Sequence, residues 1–284
     1  VGLSTGCGYK QNILDVLEPI RNGGFTMIEV CTYPAHLDYR DHEAVRRTAK
    51  RIDELCMDPV SIHAPFAKDI DITSPDRETR ERSLREMHTA AEAAAILEVQ
   101  DYVIHPGPKI EGKPPAEEYV QRMEIAAESL SNVARRCRQL GLFLVLENLL
   151  PHLQFGKTPD IRWLTAAIHE TNLGICLDTG HASLSRDLYI APRKMMGHLR
   201  MIHANDNNGN RDDHLTPGDG SIQWEKLCRR LNRSDFRGPF VLEISGDTGD
   251  DMSRVMEKAR EGRRLIRRLS RRIRQDEYSL ERES

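Results

Sequence analysis

Apolar and polar positions follow a repeating order along this chain: a short apolar run, then a longer stretch with helical periodicity. Residues 11–22 carry apolar side chains at the three- and four-residue spacing of an amphipathic helix, which ends at Gly23. Residues 142–147 (LFLVLE) instead form a continuous apolar run, which is typical of a parallel strand buried on both faces. The pattern predicts strands that alternate with helices from one end to the other.

The predicted elements fit eight strand-then-helix units, although no helix is predicted between the strands at 173–178 and 199–204. The strands are expected at 1–5, 25–30, 59–63, 101–105, 142–147, 173–178, 199–204 and 239–243. Helices are expected at 11–22, 41–57, 76–98, 115–140, 158–171, 222–232 and 252–273. Eight such units close most simply into an α/β fold with parallel strands, a single (β/α)8 TIM barrel. An open doubly wound sheet is the alternative, but no GxGxxG motif follows the first strand.

Length and composition agree with one large soluble domain. A chain of 284 residues suits a barrel over 1–274 with a polar C-terminal tail over 275–284. Nothing approaches the ~20 apolar residues of a membrane span, and the first residues already resemble a strand, so we expect no signal peptide and no membrane partner. Six cysteines are scattered without a CxxC pair, which favours a reduced, cytoplasmic protein.

Charge is distributed unevenly. The net charge is −3, but residues 254–274 carry ten Arg or Lys against two Glu, and residues 1–253 carry −8. The basic stretch follows the last strand, so we expect a basic helix on the outer ring that faces solvent or an oligomer partner. The acidic body offers no clustered Lys and Arg for phosphates, which argues against a nucleic-acid partner.

Metal-binding side-chain types recur where the predicted strands end. These residues are His63, His105, Glu147, Asp178, His181, His203, Asp212, His214 and Glu243. The C-terminal ends of barrel strands are where TIM-barrel enzymes build their active sites. Carboxylate oxygens and imidazole nitrogens are the ligands of hard and borderline divalent cations. A strand-end His such as His63, taken alone, is more often a solvated or capped side chain. His36 and His152 have no strand-end position and are expected at the surface, in rim loops.

Four of these residues belong together because they end four successive strands. They are Glu147, Asp178, His203 and Glu243. A carboxylate at the mouth of an apolar core is costly unless a cation or a partner neutralises it, so three of them predict a shared cation. The sequence leaves two roles open for Glu29: an acid that faces the substrate, or an ion-pair partner inside the barrel. The polar loop 205–221 is long for a barrel loop and is expected to cover the site.

Four motifs in combination carry a family resemblance: LVLEN, CLDTGH, HANDN…DDHLTPGDGSI and FVLEIS. Over residues 1–273 the chain resembles the xylose-isomerase-like TIM-barrel superfamily, which includes sugar and sugar-phosphate isomerases and epimerases and the endonuclease IV branch. For the sugar epimerases, the resemblance implies a one-metal site formed by Glu147, Asp178, His203 and Glu243.

The resemblance to the epimerases also implies roles for individual residues. Glu147 and Glu243 would transfer the proton, one on each face of the substrate's enediolate. His181 would contact substrate oxygens, and His63 and His105 would line the pocket. These implied roles make the two glutamates and His181 the candidate catalytic residues.

The endonuclease IV branch binds three zinc ions with nine ligands, and all nine types are present here, including the Asp212-x-His214 pair. Many epimerases instead have a basic substrate-binding side chain where His214 stands. After Glu147 the chain reads NLLPHLQFG, without the Thr- and Gly-rich turn of the endonucleases. The number of cations (Mn, Mg, Co or Zn) therefore stays open between one and three.

The sequence favours a metal-dependent isomerase or epimerase that acts on a keto or hydroxy sugar, preferably unphosphorylated. Proton transfer would take place next to a metal-bound carbonyl. The alternative is a trinuclear zinc phosphodiesterase of the endonuclease IV type. The expected partner is a small-molecule sugar, and a homo-oligomer stays open. Substrate-binding roles fall on His63, His105, His181 and His214, and the further candidate metal ligands are His63, His105, His181, Asp212 and His214.

Overall fold

Eight parallel strands form a closed barrel in which each strand pairs with the next and the eighth pairs with the first. The structure is a computed structural model that describes residues 1–112, 114–245 and 251–283. The strands are β1 (Gly2–Ser4), β2 (Met27–Cys31), β3 (Asp58–His63), β4 (Asp101–Ile104), β5 (Phe143–Glu147), β6 (Leu173–Asp178), β7 (Leu199–Ala204) and β8 (Phe240–Leu242). The predicted TIM barrel is confirmed, and strand ends differ from prediction by at most two residues.

Helices connect the strands and surround the barrel. They are α1 (Ile13–Asn22), α2 (His42–Glu54), α3 (Arg77–Ile96), α4 (Ala116–Gln139), α5 (Thr158–Ala167), α6 (Thr179–Leu184), α7 (Ala191–Lys194), α8 (Trp224–Arg233) and α9 (Met252–Glu283). The short helices α6 and α7 have no counterpart in the prediction. Helix α9 packs against α1 and α8 and continues to Glu283. It thus takes in most of the segment expected as a polar tail, whose last residue, Ser284, lies outside the described residues.

Polar side chains at the helix N-termini explain where several helices begin. Asn12 accepts a hydrogen bond from the backbone N–H of Leu14, and Asp76 accepts one from that of Thr79. Such caps satisfy N–H groups that have no partner within the helix. Across the described ranges, no helix is both long enough and apolar enough to span a membrane.

Two apolar layers determine where polar groups can lie. One layer fills the space between the strands and the helices, and the other is a small cluster inside the barrel. The inner cluster consists of Val103, Val145, Cys176, Met201 and Val241, all fully buried. Side chains in a strand alternate between the two faces, so the residue two positions later points into the barrel again, one layer nearer the C-terminal rim.

Candidate metal centre and active site

The strand-end residues stand directly above the inner apolar cluster. Each of its five members is followed two positions later by one of the predicted site residues: His105, Glu147, Asp178, His203 and Glu243. The strand register places Asp178 beside His203, whereas Glu147 pairs with Cys176, one inward-facing position before Asp178. Period-two alternation therefore gathers five side chains from five different strands around the barrel axis.

The central cluster is Glu147, Asp178, His203 and Glu243. Each offers one ligand atom, and these atoms all lie within 4.8 Å of one another. His203 Nδ1 is 3.1 Å from Glu147 Oε1 and 3.5 Å from Glu243 Oε2. His203 and Asp178 are completely buried, whereas the Glu243 side chain keeps 19% of its surface exposed. Glu243 is thus the member of the cluster that reaches the open end of the site.

Glu147 also belongs to a first flanking cluster, with His63 and His105. Its Oε2 atom lies 3.0 Å from His63 Nε2 and 3.1 Å from His105 Nε2. Its other oxygen faces His203. The single carboxylate of Glu147 therefore joins two groups of ligands.

The second flanking cluster is His181, Asp212 and His214. Asp212 Oδ2 lies 3.4 Å from His181 Nε2 and 3.0 Å from His214 Nε2. Asp178 caps helix α6, and its Oδ1 accepts a hydrogen bond of 2.7 Å from the backbone N–H of His181. The unpredicted helix α6 thus holds His181 beside the central cluster, and the structure brings all nine predicted site residues into one region.

Two asparagines support Asp178, and neither was predicted from the sequence. Asn148 exchanges hydrogen bonds of 2.8 and 3.1 Å with the Asp178 backbone, and its own carbonyl accepts from His181 Nδ1 at 2.8 Å. Asn205 donates to Asp178 Oδ2 at 2.6 Å. Their positions in the sequence could have indicated them, because Asn148 directly follows Glu147 and Asn205 follows His203 by two residues.

The loop 205–221 brings the second flanking cluster into place. Asp206 and Leu215 form an antiparallel bridge with two backbone hydrogen bonds of 2.8 Å. His214 lies in this loop with a positive φ of 45°, and its Nδ1–H donates to the Glu243 carbonyl at 2.8 Å. That bond leaves Nε2 of His214 directed at the cluster.

Burial and neighbouring charge separate the pKa values of the two glutamates. Burial would raise the pKa of Glu147, but His203 and His105 outweigh it and hold that pKa well below its ordinary value. Burial raises the pKa of Glu243 to about 7, and the favourable charge of His203 only partly opposes this. Two carboxylates with pKa values set apart by their surroundings suit the roles of acid and base.

The histidines differ in the same way. Burial lowers the pKa of His105 to about 4, so its ring is neutral at pH 7 and able to bind a cation. Burial would also lower the pKa of His63, but the hydrogen bond to Glu147 outweighs it and raises that pKa to about 9. Burial would raise the pKa of Asp212, but hydrogen bonds from His181 and His214 outweigh it and lower that pKa.

Buried nitrogen and oxygen atoms without hydrogen-bond partners indicate that this set of side chains suits a divalent cation. Within the described ranges, neither ring nitrogen of His105 has a hydrogen-bond partner, and Asp212 Oδ1 also lacks one. His105 Nε2 is close to Glu147 Oε2 but lacks the alignment of a hydrogen bond. Buried polar atoms without partners are rare and costly, and a shared cation would satisfy them. Imidazole and carboxylate ligands in these combinations fit zinc, manganese or cobalt.

A cavity of about 700 Å³ opens above the ligands. Its lining includes the apolar side chains of Phe66, Ile110 and Leu150 and the exposed residues Lys68 and Lys109. Seven of the nine predicted residues line it, and Asp178 and His203 lie beneath its floor. Its size lies within the range of small-molecule sites.

Two further histidines differ from expectation or add to the site. His36 was expected at the surface, which is wrong: it is 1% exposed, with Nδ1 donating to the Gln11 carbonyl and Nε2 facing Thr5 Oγ1. Its burial depends on the chain returning to the end of β1, which sequence periodicity does not reveal. His152 lines the cavity.

Comparison with known proteins places the chain among barrels of this kind. A family model described as a xylose isomerase-like TIM barrel matches residues 17–269. The uncharacterized protein MJ1311 of Methanocaldococcus jannaschii is 26% identical over 255 residues, which cover 85% of this chain and 82% of the relative. A probable endonuclease 4 of Mycobacterium leprae is 26% identical over 211 residues, which cover 70% of this chain and 79% of the relative.

Solved structures share the fold at lower identity. A D-tagatose 3-epimerase-like protein superimposes with a TM-score of 0.79 at 22% identity, covering 94% of this chain and 98% of that protein. The IolI protein with a bound zinc atom superimposes with a TM-score of 0.80 at 15% identity, covering 93% and 96%. At these identities the likeness shows the architecture.

Proposed function

Because the chain belongs to the xylose isomerase-like TIM-barrel family, we propose that it is a divalent-metal-dependent isomerase or epimerase of a keto or hydroxy sugar. One observation carries the proposal. Glu147 and Glu243 approach the same nitrogen of His203, at 3.1 and 3.5 Å, and their pKa values are shifted in opposite directions. The epimerase-like structural neighbours support the same reaction class.

In this proposal, the central cluster holds the cation, which supplies Lewis acidity for the carbonyl of the substrate. Glu243 faces the cavity, and its pKa of about 7 suits it to take and return a proton near neutral pH. Glu147, which also lines the cavity, moves the proton from the opposite side. His181 and His214 line the cavity and would orient the substrate oxygens.

Glu243→Gln tests this proposal. The amide keeps the size of the side chain but cannot take a proton, so exchange of the α-proton of a ketose with solvent deuterium should fall by about 100-fold or more. Exchange would be followed by NMR over a panel of ketoses with added manganese. Glu43→Gln, which changes an exposed carboxylate of helix α2 outside the cavity lining and the three clusters, is the control and should exchange at the wild-type rate. Exchange by the Glu243 variant at the wild-type rate would rule out the proposed role.

A multinuclear phosphodiesterase is the second candidate, and the two flanking clusters favour it. With the central cluster they supply ligands for three cations, and an endonuclease 4 is among the relatives. Cations held by these three clusters would supply the nucleophile for attack on phosphorus and stabilise the leaving oxygen. Elemental mass spectrometry of the purified protein, with an abasic-site oligonucleotide as substrate, separates the candidates. Three zinc ions with strand cleavage would support the phosphodiesterase; one exchangeable cation without cleavage would support the isomerase.

A further inference from the structure

Glu29 is a fully buried acid on the inner face of β2. Its Oε2 accepts a hydrogen bond of 2.8 Å from the Ser61 hydroxyl and lies 3.0 Å from His203 Nε2. Its Oε1 is buried and has no hydrogen-bond partner among the residues that the structure describes. The strand register fixes this arrangement, since Glu29 and Ser61 are direct partners in the pairing of β2 with β3.

The His203 ring is thereby held between acids on both sides. Nε2 faces Glu29, while Nδ1 faces Glu147 and Glu243 in the central cluster. Carboxylates accept hydrogen bonds and do not donate them, and Glu147 also accepts from Nδ1. A cation in the central cluster would displace the Nδ1 proton, whereas the Nε2 proton that is shared with Glu29 would stay. In the neutral ring, the lone pair then lies on Nδ1 and points at the centre of the cluster.

The cost of Glu29 argues that it has a purpose beyond packing. Apart from polar groups such as Ser61 and His203, the barrel interior is apolar, as in the inner cluster of Val103, Val145 and Val241. A buried carboxylate is expensive in such surroundings, and a well-packed apolar residue would usually be at least as stable. Glu29 also lies outside the lining of the cavity. It therefore has no route to a substrate.

We propose that Glu29 is a positioning residue that fixes the tautomer and the orientation of His203, so that Nδ1 binds the cation of the central cluster. This inference rests on the proposed metal-dependent function and names the residue that prepares its site. Histidine ligands commonly donate their second ring N–H to a carboxylate, and loss of that partner weakens metal binding by about 10- to 100-fold. Sequence inspection left Glu29 open between two roles, and its contacts with His203 and Ser61 decide between them.

The test measures metal affinity in the absence of substrate. Glu29→Gln keeps the side-chain volume and can still accept one hydrogen bond, so we expect zinc affinity about 10-fold weaker, measured by competition with a chelating dye. Glu29→Leu removes the acceptor entirely and should weaken binding by about 100-fold. The control is Glu86→Gln, which removes a carboxylate that accepts a hydrogen bond from Tyr39 and is not part of the three clusters. This variant should bind zinc like the wild type.

A measurement on the wild-type protein covers the case in which a variant fails to fold. Nitrogen-15 NMR of the zinc-loaded protein, with His203 assigned, should show a protonated Nε2 and a metal-bound Nδ1. Unchanged zinc affinity in both folded Glu29 variants, or a protonated Nδ1 in the loaded protein, would overturn the positioning role alone. Failure of the wild type to bind any divalent cation would overturn the proposed function together with this role.

Discussion

One carboxylate, that of Asp206, organises the loop that carries part of the candidate site. Its Oδ1 accepts from the backbone N–H groups of Asn207 at 2.9 Å and Ile222 at 3.0 Å. Its Oδ2 accepts from the N–H of Gly218 at 3.0 Å and from the indole Nε1–H of Trp224 at 2.7 Å. Asp206 is fully buried, so no water molecule could replace it as the acceptor for these four donors. The perturbation that tests this arrangement is Asp206→Asn.

The expected loss of stability in Asp206→Asn follows from the number of hydrogen-bond donors on each oxygen of Asp206. Whichever way the amide introduced by Asp206→Asn turns, its NH2 group would meet two N–H donors that it cannot accept. A hydrogen bond to a charged group contributes about 1.5–3 kcal/mol, so the loss of two should cost about 3–6 kcal/mol. That is a large share of the roughly 5–15 kcal/mol by which proteins are stable. Asp206→Ala would leave all four donors without an acceptor and is less suitable, since it could prevent folding.

The assay is urea unfolding of chelator-treated protein, followed by circular dichroism and by tryptophan fluorescence. Trp224 is one of two tryptophans and bonds directly to Asp206, so its emission reports on the loop. The control is Asp219→Asn in the same loop, because Asp219 forms an exposed ion pair with Lys258 and should change stability by less than about 1 kcal/mol. Equal unfolding midpoints and slopes for Asp206→Asn and Asp219→Asn would refute the reasoning.

Two other predictions concern stability away from the metal ligands. Burial lowers the pKa of His36 below its ordinary value of 6.5, so the neutral form is favoured in the folded state and its contribution to stability is lost as the pH falls below about 6.5. His36→Gln should therefore cost about 1–3 kcal/mol at pH 8 and less at pH 5, in paired urea titrations; a constant difference would contradict this. Arg122→Met should cost about 3–5 kcal/mol, because Arg122 donates to the largely buried Asp71 at 2.8 Å, and an unchanged urea midpoint would contradict it.

The features that a single sequence predicted are those that depend on local periodicity. An apolar run that ends in Glu147, Asp178 or His203 fixes both the strand and the inward direction of its last side chain. Because parallel strands place their carboxyl ends at one rim, the convergence of these residues follows from the alternation alone. The positions of Asp212 and His214 could not be predicted from this alternation, because they depend on how the loop 205–221 folds.

The features that were missed depend on contacts between distant segments. Glu29 and His203 are 174 residues apart, and their hydrogen bond follows from the barrel closing around its axis. His36 has no strand-end position in the sequence, yet it is enclosed by the segments of Thr5 and Gln11. Period and composition describe single elements, so they cannot show which side chains of different elements meet.

The geometry of Glu147 links the number of bound cations to the class of reaction. One of its oxygens faces His63 and His105, and the other faces His203. A carboxylate that bridges two cations has both oxygens neutralised and is a poor base. The proposed proton transfer by Glu147 would therefore require that the first flanking cluster hold no cation, whereas the proposed phosphodiester hydrolysis would gain from a cation there.

Occupancy of that cluster depends on its two histidines. His105, with a pKa lowered to about 4 by burial, is ready to bind a cation at neutral pH. His63, whose pKa is raised to about 9 because Glu147 outweighs the effect of burial, must first lose a proton. A protonated His63 keeps a positive charge beside Glu147 and disfavours a cation in the first flanking cluster. Filling of the first flanking cluster would therefore require loss of the His63 proton, which makes its occupancy, and with it the choice between the two proposed reactions, depend on pH.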